Sequence, residues 1–190
     1  HTRLKILDLQ NTSSQPMEYG NYVLSYNGEI YNFKDLKNTL IQKGYKFKSS
    51  GDTEVLIASW DYWGVEALNK FDGMFAFSIW DKKRKSLYLA RDRFGKKPLV
   101  FSLSEDTIAF SSDIRSLKEI AHGGEINKLA IESLFRFRFI YDPLTIYKNF
   151  KKLPDGSYLK FNARGIEVRK WFNLNTQVSS SNQKLNKKNI

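Results

Sequence analysis

The chain has 190 residues, of which 41% are apolar and 15% aromatic, and its formal charge is +11. This apolar content suits a single folded domain and excludes a disordered chain. No apolar run has the length of a membrane span, and the first residues show neither an initiator methionine nor the apolar core of a secretory signal. The sequence contains no cysteine, which excludes disulfides and thiolate metal sites among these residues and fits a cytoplasmic location.

The first third of the chain predicts a strand followed by two helices. Residues 22–26 have the composition of a short strand, and the Asn27-Gly28 pair that follows is typical of a sharp turn. Asn32 is placed to cap a helix whose apolar residues recur at helical spacing. Asp52 is placed in the same way to cap a second helix.

The centre and the end of the chain predict further strands and helices. The nearly continuous apolar run over residues 73–80 predicts a strand that is buried on both faces. Further strands are predicted at residues 86–90, 98–103 and 107–111 and between 147 and 168, and helices at 114–120 and 128–135. This mixed order favours an α+β layered sandwich. Because the composition turns polar after Trp171, we expect one domain over residues 1–172 and a linker or tail over residues 173–190.

The positive charge does not by itself predict a nucleic-acid or membrane partner. Most basic residues are interspersed with acidic ones, and the densest uncompensated group is Lys184, Lys187 and Lys188. No nucleic-acid-binding motif accompanies the charge. A basic nucleic-acid-binding domain remains an alternative, and it would bind DNA or RNA in a salt-sensitive manner.

Several short motifs occur in a fixed order along the chain. They are HTRLKILDL (1–9), QPM (15–17), NGEIYN (27–32), DTEV (52–55), GMFAF (73–77), WD (80–81), ARDRFGKKPL (90–99) and SSDI (111–114). The ordered set resembles the glutaminase domain of glutamine-dependent asparagine synthetases, a class II glutamine amidotransferase domain. It is closer to that family than to the sugar-phosphate or phosphoribosyl amidotransferases.

The resemblance implies a fold and a chemistry. The fold is the N-terminal-nucleophile (Ntn) hydrolase type, a four-layer αββα sandwich with antiparallel sheets, whose first strands would precede His1. In this family a cysteine thiol attacks the carboxamide of L-glutamine, and ammonia is released. The ammonia passes to a C-terminal synthetase domain of the same parent chain, where ATP and Mg²⁺ activate aspartate. No cofactor or metal is expected in the glutaminase domain itself, and a homodimer is a further expectation.

The resemblance also assigns residues to a glutamine site. The Asn27 side-chain amide and the Gly28 N–H would form the oxyanion hole. Arg3 would hold the α-carboxylate of glutamine through two parallel hydrogen bonds, and Asp52 would pair with its α-ammonium group. Such a site would reject amides that lack an amino-acid head.

Three further positions belong to this implied pocket. Ile6 and Leu7 would line its wall with backbone groups, and Glu29 would help to bind the ammonium group. Simpler alternatives exist for two of the site residues. Arg3 could be a solvated surface charge, and Asp52 could serve only as a helix cap.

The chain departs from the family in its lack of a cysteine. Because thiolate chemistry needs a thiol, we predict that the 190-residue chain alone is inactive. Its beginning at His1 and its end at Ile190 lead us to expect an interior piece of a larger protein. The alternatives are a non-catalytic glutamine-binding or regulatory module and an amidotransferase domain that serves another acceptor.

Two other features carry no predicted chemistry. The basic segment over residues 91–99 lacks the glycine pattern of a phosphate-binding loop, so we expect it to support neighbouring strands, with Gly95 in an unusual backbone conformation. The only histidines are His1 and His122, and two histidines without cysteine make a poor zinc site.

Overall fold

The structure, a computed structural model of the chain, describes residues 15–121 and 123–174. Its strands in chain order are β1 (Met17–Tyr19), β2 (Tyr22–Ile30), β3 (Gly73–Asp81), β4 (Ser86–Arg91), β5 (Val100–Ser104), β6 (Thr107–Ser111), β7 (Phe150–Lys152), β8 (Ser157–Asn162) and β9 (Gly165–Lys170). The helices are α1 (Phe33–Gln42), α2 (Asp52–Trp63), α3 (Ile114–Ile120) and α4 (Lys128–Phe137), and a 3₁₀ helix covers Gly64–Lys70.

The strands form two antiparallel sheets. The larger sheet has the order β1-β2-β3-β4-β8-β9, and the smaller one has the order β6-β5-β7. Every pairing between neighbouring strands is antiparallel. Strand β3 lies in the middle of the larger sheet and is buried along most of its length, as its apolar sequence predicts.

Three apolar clusters separate four layers. The first lies between helices α1 and α2 and one face of the larger sheet, and it contains Leu40, Leu56 and Phe77. The second joins the two sheets through residues such as Leu89 and Phe101. The third joins the smaller sheet to α3 through Val100 and Leu117. The layers are therefore helix, sheet, sheet and helix, which confirms the predicted α+β sandwich.

The predicted turn at Asn27-Gly28 is wrong. Strand β2 continues without interruption through both residues to Ile30, and Gly28 lies opposite Phe75 of β3. Gly28 has a φ of 155°, and a Cβ atom at this position would lie 2.2 Å from the Met74 carbonyl oxygen. The glycine therefore permits a close approach of two strands rather than a reversal of the chain.

The two predicted helix caps are also corrected. Asn32 occupies the N-cap position of α1, as predicted, but its side chain makes no capping hydrogen bond; it donates to the Lys70 carbonyl (2.9 Å) and accepts from the Asp72 N–H (3.0 Å). Asp52 is the first residue of α2 rather than its cap, and Gly51 takes the capping position. Both polar side chains are thus used for contacts between distant segments. No helix in residues 15–121 or 123–174 is long and apolar enough to span a membrane.

Candidate functional site

One edge of strand β2 presents backbone N–H groups away from β3. The Tyr26 N–H donates to Gln15 Oε1 (2.6 Å), and the Ile30 N–H donates to Asp52 Oδ2 (3.0 Å). Because N–H groups of alternate residues point to the same edge of a strand, the Gly28 N–H lies between these two on that edge. Within the described residues, β1 covers the edge only as far as Leu24. The Gly28 N–H therefore faces a part of the edge that no described strand covers.

The position of Phe75 supports this orientation independently. Phe75 is the cross-strand neighbour of Gly28, and its N–H and carbonyl both hydrogen bond to Asp92 on the side away from β2 (3.2 and 2.8 Å). A residue whose backbone groups point to one neighbouring strand cannot bond to the other. The facing pair of Gly28 and Phe75 therefore shares no backbone hydrogen bond.

The Asn27 side chain points into a cleft between the two sheets. The cleft has a volume of about 580 Å³, and its lining includes Ser25, Ser78, Ser111, Ser112 and Ser116. The Asn27 amide nitrogen lies 3.5 Å from Ser112 Oγ, at the limit of a hydrogen bond. Among the described residues its donors are therefore only weakly engaged, and Gly28 is the next residue along the strand. Two neighbouring donors of this kind can stabilise negative charge on one carbonyl oxygen.

Asp52 approaches the same edge of β2 from the helix layer. It is 4% exposed, and its Oδ2 accepts hydrogen bonds from the Tyr26 hydroxyl (2.7 Å) and the Ile30 N–H (3.0 Å). Burial, and then the charge of Asp52, raise the pKa of Tyr26 well above its usual value, so Tyr26 remains a donor to the carboxylate at neutral pH. This network fixes the start of α2 against the edge of β2.

The spacing along the edge sets a length for a ligand. Gly28 and Ile30 are two residues apart, so their N–H groups are separated by about 6.8 Å in an antiparallel strand. Within the described residues, no donor forms a hydrogen bond with Oδ1 of Asp52, the second carboxylate oxygen. An extended amino acid with a side-chain amide has its amide oxygen and its ammonium group at a comparable separation. Pairing of Asp52 with an ammonium group stays a prediction.

The remaining predicted site residues fall into two groups. Glu29 is two residues after Asn27, so its side chain lies on the cleft face of β2, whereas Asp52 approaches from the helix face. Arg3, Ile6 and Leu7 lie outside the described residues, and their roles stay predictions.

The sequence analysis assigned no role to Tyr26, and it named Gln15 and Ser112 only as parts of motifs. Tyr26 could have been found from the pattern of β2, where it occupies the same face as the buried residues Leu24 and Ile30. A hydroxyl on such a face needs a polar partner, and a buried carboxylate is a good one. The contacts of Gln15 and Ser112 depend on tertiary structure and left no comparable pattern.

No metal-binding group was found in the part of the chain that the structure describes. Within it, no cluster of three or more histidine, cysteine, aspartate or glutamate side chains is arranged to hold an ion. The groups described above are hydrogen-bond donors and one carboxylate. They can bind and polarise an amide-bearing ligand.

Comparisons with known proteins point to one family. Residues 1–172 match the family model described as "Glutamine amidotransferase domain". The chain is 39% identical over 176 residues to asparagine synthetase [glutamine-hydrolyzing] 1 of Bacillus subtilis (strain 168), with 91% of this chain and 28% of that protein covered. It is 35% identical over 191 residues to putative asparagine synthetase [glutamine-hydrolyzing] 2 of Methanocaldococcus jannaschii, with 90% of this chain and 36% of that protein covered.

Solved structures share the fold at lower sequence identity. The glutamine phosphoribosylpyrophosphate amidotransferase of B. subtilis matches with a TM-score of 0.59 and 21% identity, over 83% of this chain and 32% of that one. A structure titled as the allosteric regulatory enzyme of purine biosynthesis matches with a TM-score of 0.61 and 21% identity, over 85% of this chain and 32% of that one. The chain spans about a third of the length of the two asparagine synthetases.

Proposed function

Because this chain belongs to the glutamine amidotransferase domain family, we propose that it forms the glutamine site of a larger, glutamine-hydrolysing asparagine synthetase. The observation that carries the proposal is the open edge of β2. There the Gly28 N–H and the Asn27 amide belong to consecutive residues of β2, and the Asp52 carboxylate binds the Ile30 N–H two residues further along the strand. This arrangement matches the amide and the ammonium group of one glutamine molecule.

In the proposed reaction a cysteine thiolate adds to the amide carbon of glutamine. The carbonyl oxygen takes the electron pair of the C=O bond, and the Asn27 amide and the Gly28 N–H donate to it. The leaving nitrogen takes the proton that the thiol gave up, and collapse of the intermediate breaks the C–N bond and releases ammonia. Water then adds to the thioester, which releases glutamate and returns the thiol. The thiol has to come from a part of the parent protein outside these residues, because none of the 190 is cysteine.

The same site would select a free amino acid. Asp52 would hold the ammonium group with its second oxygen, and Arg3 would hold the α-carboxylate. Backbone groups of Ile6 and Leu7 would complete the wall, and Glu29 would add negative charge on the cleft side. The buried network around Asp52 supports this selection, because Tyr26 and Ile30 fix the carboxylate before a ligand arrives.

The names of the similar proteins suggest what the released ammonia is used for. The names of the two relatives support a parent protein that makes asparagine and hydrolyses glutamine. We propose, from the family resemblance alone, that a synthetase domain of this protein uses ATP and Mg²⁺ to amidate aspartate. The length of these relatives leaves room for such a domain on the same polypeptide. Aspartate as the acceptor of the ammonia is the most specific part of the proposal, because other members of the family transfer ammonia to other acceptors.

The test uses the full-length parent protein and compares two nitrogen sources. We expect Asp52→Asn to raise the KM for glutamine strongly while synthesis from free ammonia continues at an unchanged rate. Asparagine keeps an acceptor for Tyr26 and Ile30, so the fold should persist. The matched control is Asp113→Asn, because Asp113 also lines the cleft but is paired with Arg115 (2.6 Å).

Three results would contradict the proposal. One is an unchanged glutamine KM in Asp52→Asn, and another is an equal effect of Asp113→Asn. The third is glutamine hydrolysis by the purified 190-residue chain, because it would show that a thiol is not needed. Calorimetry of glutamine binding to the parent protein provides a readout that does not depend on turnover.

A further inference from the structure

A pocket lies between two tight turns at one end of the larger sheet. One turn, over residues 82–85, joins β3 to β4, and the other, over residues 163–164, joins β8 to β9. The pocket has a volume of about 400 Å³, and the rest of its lining is small or polar and uncharged apart from five basic residues: Lys83, Arg84, Lys85, Lys160 and Arg164. We call the space between these five residues the basic pocket.

Most of the positive charges around the basic pocket have no partner in the described part of the domain. The Arg84 guanidinium group lies 3.2 Å from Asp81 Oδ2. In residues 15–121 and 123–174, none of the other four cations has a carboxylate within ion-pair distance. Like charges around one concavity repel one another, and a bound anion would remove that repulsion.

Lys160 is held beside the pocket without being neutralised. Glu167 lies opposite Lys160 in the pairing of β8 with β9, but its carboxylate is bound by Arg169. The Lys160 ammonium group lies over the Tyr88 ring, 5.7 Å from the ring centroid. An aromatic ring attracts an ammonium group but leaves its charge in place. Lys160 therefore remains able to pair with an anion.

Hydrogen bonds fix both turns before a ligand arrives. Asp81 is 2% exposed, and its Oδ1 accepts from the Arg84 N–H (2.8 Å). In the second turn, Asn162 Oδ1 accepts from the Arg164 N–H (2.8 Å). Lys85 has a φ of 46°, in the left-handed region that glycine adopts most readily, and here it adds a charge that glycine would not. A site that is ordered in advance loses little conformational entropy on binding.

The lining of the basic pocket indicates the class of anion. It has no aromatic side chain on which a nucleic-acid base could stack and no large apolar side chain that could enter a membrane. Guanidinium and ammonium groups are typical donors to phosphate oxygens. One phosphate group carries about two negative charges at neutral pH, fewer than the four unpaired cations. A chain of two or three phosphate groups matches the charge better.

From these observations we infer that the basic pocket binds the phosphate chain of a small molecule, an inorganic oligophosphate or the di- or triphosphate part of a nucleotide. The basic pocket is separate from the glutamine site. Phe75 lies opposite Gly28, and Asp81, at the start of the first turn, is six residues further along β3. Six residues of an extended strand span about 20 Å. A phosphate chain and glutamine could therefore be bound at the same time.

The test is acetylation of lysines in the full-length parent protein, read by mass spectrometry at each side chain. Inorganic tripolyphosphate should slow the labelling of Lys83, Lys85 and Lys160 at least about fivefold, because bound phosphate oxygens engage the ammonium groups. Lys43 and Lys46, which are exposed beside the end of α1, should be labelled at an unchanged rate. Phosphate binding elsewhere in the parent protein does not affect this local readout. Parallel titrations with ATP and with inorganic diphosphate show which form of the chain is bound more tightly.

Variants of equal net charge test the same pocket by a second route. Lys83→Gln combined with Lys85→Gln should raise the tripolyphosphate concentration that half-protects Lys160 by about tenfold or more, because charge-assisted hydrogen bonds are lost. The matched control, Lys43→Gln combined with Lys46→Gln, should leave that concentration unchanged. Both pairs of substitutions are at exposed positions, so both variants should keep the urea midpoint of the wild type.

Four results would overturn the inference. The first is an absence of protection at the basic pocket, and the second is equal protection of Lys43 and Lys46. The third is an equal effect of the control variant, because the protein's overall charge would then explain the binding. The fourth is protection by single-stranded RNA or by vesicles of anionic phospholipid at a lower phosphate concentration than by tripolyphosphate, because the ligand would then be a nucleic acid or a membrane.

Discussion

The edge of β2 and the loop that follows β4 are both polar, but they differ in how far their polar groups are satisfied. In the loop, the Asp92 carboxylate accepts hydrogen bonds from the N–H groups of Phe75, Phe94, Lys96 and Lys97. At the edge, the described residues provide no strand partner for the Gly28 N–H and only one long contact for the Asn27 amide (3.5 Å). The loop uses its polar groups internally, whereas the described residues leave those at the edge largely unused.

Arg91, which begins this loop, also has its donors satisfied within the domain. Arg91 donates to the carbonyls of Lys97 (2.8 Å), Gly95 (2.7 Å) and Leu153 (2.7 Å). Gly95 has a φ of 60°, and a Cβ atom there would lie 2.8 Å from Arg91 Cζ. Arg91 is therefore turned inward, where it holds the loop to Leu153, and Gly95 has the unusual backbone conformation expected from the sequence. Residue type alone therefore does not show whether a polar motif supports the fold or remains available to a ligand.

The largest loss of stability should come from a substitution in the loop that follows β4, where the polar groups are satisfied. Asp92 is buried, so Asp92→Asn removes the charge and replaces one acceptor oxygen with a donor opposite backbone N–H groups. We expect a loss of about 3–4 kcal/mol in the free energy of unfolding, measured by urea denaturation. Asp113→Asn, at an exposed helix cap, should change the urea midpoint only slightly. Equal midpoints for the two variants would contradict the contrast between the regions.

Substitutions at the edge of β2 should change activity rather than stability. In the full-length parent protein, Asn27→Ala should lower kcat for glutamine hydrolysis by about 10²–10³, because one oxyanion donor is lost. The urea midpoint should stay close to that of the wild type, since the Asn27 amide makes only one long contact in the described residues. Ser112→Ala serves as the control, since it removes that contact and leaves the amide. A variant that is destabilised but retains its kcat would reverse the assignment.

Substitution of Tyr26 should affect both stability and glutamine binding. Tyr26→Phe removes the hydroxyl that donates to Asp52, and we expect a loss of about 1–2 kcal/mol in stability. The same change should raise the KM for glutamine in the parent protein, because the carboxylate is less well oriented. Thermal denaturation and steady-state kinetics check the two effects. A stability loss with unchanged KM would make Tyr26 a purely structural residue.

The raised pKa of Tyr26 also predicts how stability depends on alkaline pH. In the unfolded chain, tyrosine loses its proton near its ordinary pKa of 10.0, whereas burial and Asp52 keep Tyr26 protonated in the folded chain above that pH. The unfolded state then binds fewer protons, so stability falls as the pH rises from 10.0 toward the higher folded pKa. Tyr26→Phe should reduce this fall, and denaturation at several alkaline pH values measures it. Parallel curves for the two proteins would contradict the assignment.

The smallest expected effect is that of substituting Ser59, whose buried hydroxyl we assign to imperfect packing rather than to a ligand site. In the described residues, Ser59 Oγ in α2 is buried and has no hydrogen-bond partner. It lies in the helix layer, away from the cleft, so we expect no ligand for it. Ser59→Ala should raise the free energy of unfolding by up to about 1 kcal/mol and leave glutamine kinetics unchanged. A loss of stability in urea would indicate a partner for the hydroxyl.

The sequence alone was enough for features that depend on long, uniform patterns. The apolar run within β3 predicts a buried strand, and the structure places it at the centre of the larger sheet. The patterns around α3 and β6 also predict elements that are present with the same bounds. The motif order indicates the family to which the chain belongs. Such signals are strong because every residue in them contributes in the same direction.

Only the tertiary structure decided what Asn27, Gly28 and Asp52 do. Asn-Gly favours a turn, but pairing of β2 with β3 along nine residues outweighs that local preference. Asp52 could cap a helix, but a buried hydroxyl and an N–H from β2 bind its carboxylate instead. These partners come from segments more than twenty residues away, so no local pattern could reveal which polar groups the fold would satisfy and which it would leave open.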